Sequence, residues 1–274
     1  MCTTCGCSDD ATPKITNMQT AENDRGHSHD HGHDHSHDHS HDHDHSHDHG
    51  HDHVRKSTTI TLEEKILAKN DRLAERNRGW LAGSNIVALN LVSSPGAGKT
   101  TLLERTITDL REQISMIVME GDQATTNDAE RIKKTGCPVL QINTGAGCHL
   151  DAEMIAAGLK ELKPARGSLL FIENVGNLVC PALFDLGEKH KVVILSVTEG
   201  EDKPVKYPHM FRAAELMILN KTDLLPYLNF DLEACKKYAL SVNPHLKIIE
   251  VSVTKGTGLD TWYSWLKEQS QEGI

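Results

Sequence analysis

"ALNLVSSPGAGKTTLLERTITDL", residues 88–110, decides the fold. An apolar run of strand character, about 86–92, feeds a turn holding Pro95, Gly96 and Gly98, and a helix follows over about 99–111. That order matches the spacing G-x-x-x-x-G-K-[ST], with Ser93 standing in the first glycine position and Gly98-Lys99-Thr100 intact. Gly96 and Gly98 let backbone N–H groups close around phosphates. Lys99 is placed to neutralise β- and γ-phosphates and Thr100 to ligate Mg²⁺. Thr101 lies beside them at a helix N-terminus, which favours an anion. A glycine turn that binds nothing is the competing reading, and the placement of Lys99 and Thr100 argues against it.

Outward from this segment, short runs rich in Val, Ile and Leu alternate with helical stretches. Strands are predicted at about 86–92, 114–119, 138–142, 168–173, 191–197, 215–220 and 246–252. Helices are predicted at about 99–111, 126–135, 151–162, 207–213, 230–241 and 259–269, with a further one after Thr58 that stops at Gly79 or Gly83. The expected fold class is α/β: a mainly parallel seven-stranded sheet covered by helices on both faces.

The late strand ending "LNKTD" carries Asn220-Lys221-Thr222-Asp223, the N-K-x-D spacing of guanine-nucleotide sites. Asp223 is expected to accept from guanine N1–H and the 2-amino group, a pattern adenine does not offer. Lys221 is expected to pack along the ring, and "SVTKGTG", residues 252–258, to close over the base with Ser252, Thr254 and Lys255. Glu120 and Asp122 end the second strand, where a first switch loop would lie. Glu173-x-x-Gly176 follows the fourth. Asp122 and Glu173 are candidate Mg²⁺ ligands together with Thr100, and the Gly176 N–H is placed to meet a γ-phosphate. Asn177, not Gln, follows Gly176, so slow intrinsic GTP hydrolysis is expected, with Asp122 the candidate to orient water. Lys99, Asp122, Glu173 and Gly176 form the expected catalytic set. Helix capping and solvation are the plain alternative for Glu120 and Asp122.

Phosphate chemistry needs no thiol, yet "NTGAGCHLDAEM", residues 143–154, puts Cys148 and His149 in a turn after the third strand. Cys180 follows the fourth, four residues past Gly176. In a parallel sheet both loops emerge at the carboxyl edge that carries the phosphate turn. Thiolate and imidazole suit Zn²⁺ and Ni²⁺. Three ligands make an incomplete site that a two-fold dimer would complete. By spacing alone, small packing cysteines and a solvated turn histidine remain an equal reading. Cys137 and Cys235 fall in strand or helix contexts and are expected in the core.

The 274 residues carry a net charge of −10, and residues 1–53 hold 11 acidic and 2 basic side chains of that total. The remainder is near neutral, with no basic field for nucleic acid. No apolar run reaches the ~18 residues of a membrane span, and no apolar leader is evident. Cytoplasmic residence, with thiols kept for metal or redox work, is the expectation. Residues 8–26 read as polar linker. His27, His29, His31, His33, His35, His37, His39, His41, His43, His45, His47, His49, His51 and His53 alternate with Asp, Ser and Gly. This tract has nothing apolar to bury, so residues 1–57 are expected to be a disordered metal-binding tail and 58–274 the nucleotide-binding domain. Metal storage is the simplest use of the imidazoles. Cys2, Cys5 and Cys7 can wrap one ion, and an α-amino group on Cys2 would complete a square-planar set favouring Ni²⁺. An iron–sulfur contact or redox-active thiols are the alternatives.

Through "SSPGAGKTT", "EGDQATTNDAERI", "GAGCHLDAEM", "ENVGNLVCP" and "LNKTDLLPY", the chain closely resembles the HypB family of GTPases over about residues 58–270. "MCTTCGC" matches the C-x-x-C-G-C motif of some members. The resemblance implies a G domain of the SIMIBI P-loop class and a GTP/GDP cycle with Mg²⁺. It further implies nickel or zinc held at Cys148, His149 and Cys180 in a GTP-dependent homodimer interface. It implies a HypA-type nickel chaperone as partner and the large subunit of a [NiFe]-hydrogenase as recipient. Ser93 and Glu173 are family variants. A urease-type client is disfavoured, because Gly-Cys-His-Leu replaces the Cys-Pro-His turn. A pure nickel or zinc store is disfavoured by intact Lys99, Thr100 and Asp223.

Overall fold

The computed structural model describes residues 13–19, 52–123 and 125–271. One sheet contains β1 (Lys14–Asn17), β2 (Val87–Ser93), β3 (Met116–Asp122), β4 (Val139–Asn143), β5 (Leu169–Glu173), β6 (His190–Ser196), β7 (Leu216–Asn220) and β8 (Lys247–Glu250). Their spatial order is β1-β4-β3-β5-β2-β6-β7-β8. Every pairing is parallel except β1 with β4. The helices are α1 (Asp52–Gly83), α2 (Lys99–Leu110), α3 (Asn127–Lys134), α4 (Ala152–Leu162), α5 (Lys203–Lys206), α6 (Pro208–Ala213), α7 (Leu232–Val242) and α8 (Leu259–Gln271).

Two differences from the sequence reading concern the amino-terminal part. β1 lies in a stretch read as polar linker; it pairs Lys14 with Asn143 and Asn17 with Leu140, and so covers the open edge of β4. Its signal is weak because only Ile15 and Met18 bring apolar surface, yet Met18 is buried in the core. The α1 backbone begins at Asp52, not near Thr58, since a formed helix extends at little cost through polar residues.

Side chains alternate across the sheet. Leu89, Leu91, Val118, Phe171 and Ile194 face α2 and α8, where they meet Leu103, Ile107, Trp262 and Leu266. Ala88, Met119, Ile142, Leu170 and Ile172 face the other way, toward α1 and α4. Val193, Leu195, Met217 and Leu219 are covered by α6 and α7. With both faces covered, the central strands read as unbroken apolar runs. The buried Trp262 Nε1–H donates to Thr106 Oγ1 at 2.9 Å, which satisfies its polar atom inside this core. Cys137 and Cys235 are core residues, and burial pushes both thiols up to about 12, far from a thiolate ligand.

Candidate functional site

The site lies at the carboxyl edge of β2, β3, β5 and β7. Gly96 and Gly98 adopt φ of 76° and 102°. A Cβ on Gly98 would stand 2.6 Å from Asn220 Nδ2, so both backbone conformation and space require glycine there. Asn220 Nδ2 donates to the Ala97 carbonyl at 2.9 Å, and Lys221 Nζ donates to the Gly96 carbonyl at 2.7 Å. The N-K-x-D turn therefore buttresses the phosphate turn. Asp223 receives the Ser252 hydroxyl at 2.6 Å, with Thr254 Oγ1 at 3.5 Å. Lys255 N–H donates to Ser252 Oγ, so residues 252–255 fold around the Asp223 carboxylate.

Lys99 Nζ donates to Ser93 Oγ at 2.9 Å, so the residue replacing the first glycine of the pattern holds the lysine. The Thr101 hydroxyl is engaged by Arg131 at 3.1 Å. Thr100 Oγ1 donates to Glu173 Oε1 at 2.7 Å. Glu120 and Glu173 are register partners across β3 and β5, and both are buried. Glu173 Oε2 and Glu120 Oε2 have no hydrogen-bond partner among the described residues. Burial pushes Glu173 up to about 7, against the pull of Lys99 and the Thr100 hydroxyl. Burial, then the neighbouring Glu173 and Asp122, pushes Glu120 up to about 9. Two buried carboxylates with open oxygens beside the phosphate-turn threonine fit a divalent cation. Asp122 Oδ1 accepts the Thr125 N–H at 2.8 Å, which shapes the loop after β3. A Cβ on Gly176 would lie 3.1 Å from Pro95, so this glycine is packed against the phosphate turn.

Between β4 and α4, the turn carrying Cys148 is closed by Thr144, whose hydroxyl donates to the Gly147 carbonyl at 2.7 Å. Asp151 then caps α4 by accepting Met154 N–H at 2.8 Å. Cys180 opens a short 3-10 helix, Cys180–Ala182. The structure brings the three predicted ligands together. Cys148 Sγ lies 3.1 Å from Cys180 Sγ and 3.7 Å from His149 Nδ1. All three ligand atoms lie within 4.8 Å of one another. His149 packs on Phe184 with ring centroids 3.9 Å apart, and its burial lowers the imidazole pKa, so a ring nitrogen lone pair is free at neutral pH. Two thiols and an imidazole in one half-buried cluster form a soft N/S donor set suited to Zn²⁺ or Ni²⁺.

Asn177 does more than stand in place of a glutamine. Its Nδ2 donates to the Cys148 carbonyl at 3.2 Å, and its Oδ1 accepts the Val179 N–H. No residue pattern signals that contact. Cys2, Cys5, Cys7 and the histidines from His27 to His51 lie outside the described residues, as does the side chain of His53.

Residues 87–250 match the family described as CobW/HypB/UreG, nucleotide-binding domain. The hydrogenase maturation factor HypB of Escherichia coli strain K12 is 60% identical over 210 residues, 77% of this chain and 72% of that protein. The chain belongs to the HypB family. The HypB crystal structure from Archaeoglobus fulgidus is similar with a TM-score of 0.70 and 43% identity, over 74% of this chain and 99% of that one. The structure of HypB from Helicobacter pylori in complex with nickel also superposes at 0.70, with 38% identity over 74% of this chain and 96% of that one. The HypB membership accounts for the P-loop GTPase fold and the guanine-type N-K-x-D turn together. No described helix is long and apolar enough to cross a membrane.

Proposed function

We propose that this GTPase is a nickel metallochaperone that stores nickel and delivers it during assembly of [NiFe]-hydrogenase, with release governed by the nucleotide. The observation that carries this reading is the cluster of Cys148, His149 and Cys180, joined by a hydrogen bond to Asn177, the residue next to Gly176. Relatives named hydrogenase maturation factor, and one solved with nickel, support the choice of cargo and client.

In this reading Gly96, Gly98, Lys99, Thr100 and Thr101 hold the phosphates, and Lys99 exchanges its Ser93 hydroxyl for phosphate oxygens. Asn220, Lys221 and Asp223 read the base under Ser252, Thr254 and Lys255. Thr100, Asp122 and Glu173 would hold Mg²⁺, which when bound supplies charge stabilisation to the transferring phosphoryl group. Asp122 orients the attacking water, and Asn177 stands where a glutamine after Gly176 would assist it, so hydrolysis is slow. Gly176 senses the γ-phosphate through its N–H. Asn177, one residue on, moves with it and shifts the Cys148 carbonyl, so the two thiols separate on hydrolysis and free the metal.

Three donors leave a nickel or zinc site unfilled, and a second copy of the chain related by a two-fold axis would complete it. The exposed apolar Val179 and Leu183 flank Cys180 and suit such a homodimer. Cys2, Cys5, Cys7 and the histidine tract serve as store, on either side of β1, the strand by which the amino-terminal segment joins the G-domain sheet. A HypA-type chaperone and the hydrogenase large subunit are the partners, in the cytoplasm.

The test follows the thiolate–nickel charge-transfer band in full-length protein carrying Cys2→Ser, Cys5→Ser and Cys7→Ser. The band should decay faster with GDP than with a non-hydrolysable GTP analogue and vanish in Cys148→Ala/Cys180→Ala. Equal decay with both nucleotides would reject nucleotide-governed release.

A further inference from the structure

A line of polar side chains, all more than nine-tenths buried, runs through Asn174, Asn90, Glu188 and Lys191. Asn90 sits in mid-β2 and Lys191 in β6, inside a sheet whose strands are mainly apolar. Buried polar groups in such a place persist only where they are mutually satisfied.

The line runs without a gap. Leu150 N–H, two residues past Cys148, donates to Asn174 Oδ1 at 3.2 Å. Asn174 Nδ2 donates to Asn90 Oδ1 at 3.2 Å, and Asn90 Nδ2 donates to Glu188 Oε1 at 3.0 Å. Glu188 Oε2 accepts Leu186 N–H at 2.7 Å, and Lys191 Nζ stands 3.5 Å from Glu188 Oε1. Lys191 Nζ then donates to the Pro181 carbonyl at 2.9 Å and the Phe184 carbonyl at 3.3 Å. One end of the line therefore holds the turn of Cys148 and His149. The other holds the loop of Cys180, including Phe184, on which His149 packs.

We propose that Lys191 is a positioning residue of the Cys148–His149–Cys180 metal site: its buried ammonium gathers the Pro181 and Phe184 carbonyls and so fixes Cys180 Sγ against Cys148 Sγ. The inference rests on the metal reading of that cluster. It assigns Lys191 no contact with metal or nucleotide. An ammonium suits the task because it carries three donors and no acceptor, and here it meets two carbonyls and one carboxylate. Groups that orient metal ligands from behind typically change metal affinity by about 10- to 100-fold when removed.

The experiment uses full-length protein with Cys2→Ser, Cys5→Ser and Cys7→Ser, so that thiolate charge transfer reports Cys148 and Cys180 alone. Ni²⁺ is delivered from a chelator-buffered series of free concentrations. Lys191→Met is expected to move the midpoint of the band to about 10- to 100-fold higher free Ni²⁺. The affinity for a fluorescent GDP analogue should stay within about twofold, since Lys191 touches no phosphate-turn residue. Lys191→Arg, which keeps charge and donors, should recover most of the shift. If Lys191→Met does not fold, Lys191→Gln carries the comparison, with a smaller shift in the same direction. A parent-like midpoint in the folded variant overturns the positioning role. A band that is absent in the parent, or that survives Cys148→Ala/Cys180→Ala, overturns the metal reading itself and leaves a different signature.

Discussion

Asn177 Nδ2 donates to the Cys148 carbonyl at 3.2 Å, which places one hydrogen bond between the residue after Gly176 and the turn that bears a thiol. Gly176 itself packs on Pro95 of the phosphate turn. In the proposed cycle, a shift of this glycine toward a γ-phosphate would pull on the Cys148 backbone through that bond. The link is short because β4 and β5 both end at the same sheet edge, flanking β3.

Asn177→Ala should accordingly weaken coupling more than binding. A neutral hydrogen bond is worth about 1 kcal/mol net, a factor of about five. The ratio of nickel release rates with GDP and with a non-hydrolysable GTP analogue should fall by about that factor. Stopped-flow decay of the thiolate–nickel band measures it, and an unchanged ratio would remove Asn177 from the coupling path.

The buried Glu120 and Glu173 give the protein without nucleotide or Mg²⁺ a distinctive pH dependence. Their folded-state pKa values, about 9 and about 7, lie above the ordinary carboxylate value of 4.5. The folded state thus binds more protons than the unfolded state between pH 4.5 and 9, and stability falls as pH rises through that window. Chemical denaturation at pH 6, 7.5 and 9 should show this decline. Glu120→Gln should flatten the part above pH 7, where Glu173 has already ionised. Mg²⁺ with GDP should oppose the decline, because a bound cation favours the ionised Glu173. Stability that rises with pH across this range would contradict the burial argument.

The phosphate turn and the N-K-x-D turn were legible in the sequence because their residues are adjacent and their spacing is fixed by phosphate and base geometry. The parallel strands were legible because both faces are covered, so residues such as 168–173 read as unbroken apolar runs. The meeting of Cys148, His149 and Cys180 needed only the rule that parallel strands open their loops at one edge. β1 was not legible, since four residues with one isoleucine gain their order from the β4 edge and not from local preference. Asn90, Asn174 and Lys191 were equally silent, because each partner lies far along the chain. A lone asparagine in an apolar strand does not disclose what it faces.

Base selection has a direct test at Asp223. In the proposed complex its carboxylate accepts two hydrogen bonds from guanine, each worth about 1.5–3 kcal/mol when one partner is charged. Asp223→Asn replaces an acceptor with a donor and should lower GTP affinity by at least about 100-fold. Xanthosine triphosphate presents the reversed pattern at the same edge and should bind the variant better than GTP does. Isothermal titration with both nucleotides decides it, and unchanged GTP affinity would move the base away from Asp223.

Asn77 is one of two buried asparagines of α1, with Asn70, that reach the segments around Ala152 and Leu186. Its buried Nδ2 donates to the Ala152 carbonyl at 2.8 Å and to the Leu186 carbonyl at 3.0 Å. Ala152 starts the helix after the Cys148 turn, and Leu186 follows the Cys180 loop, so α1 clasps the outer ends of both cysteine-bearing segments. The fit is close: a Cβ on Gly187, at φ 89°, would lie 2.6 Å from the Ala74 carbonyl oxygen. Asn77→Ala leaves two buried carbonyls without their donor, at about 1–3 kcal/mol each, partly relieved by a second lone-pair contact or water. Urea unfolding should show a loss of roughly 2–4 kcal/mol. GTP affinity measured well below the melting temperature should stay within about twofold, because no phosphate or base contact is touched. A loss under about 1 kcal/mol would mean that water replaces the amide fully, and the hold of α1 on the two loops would then rest on Asn70 and not on Asn77.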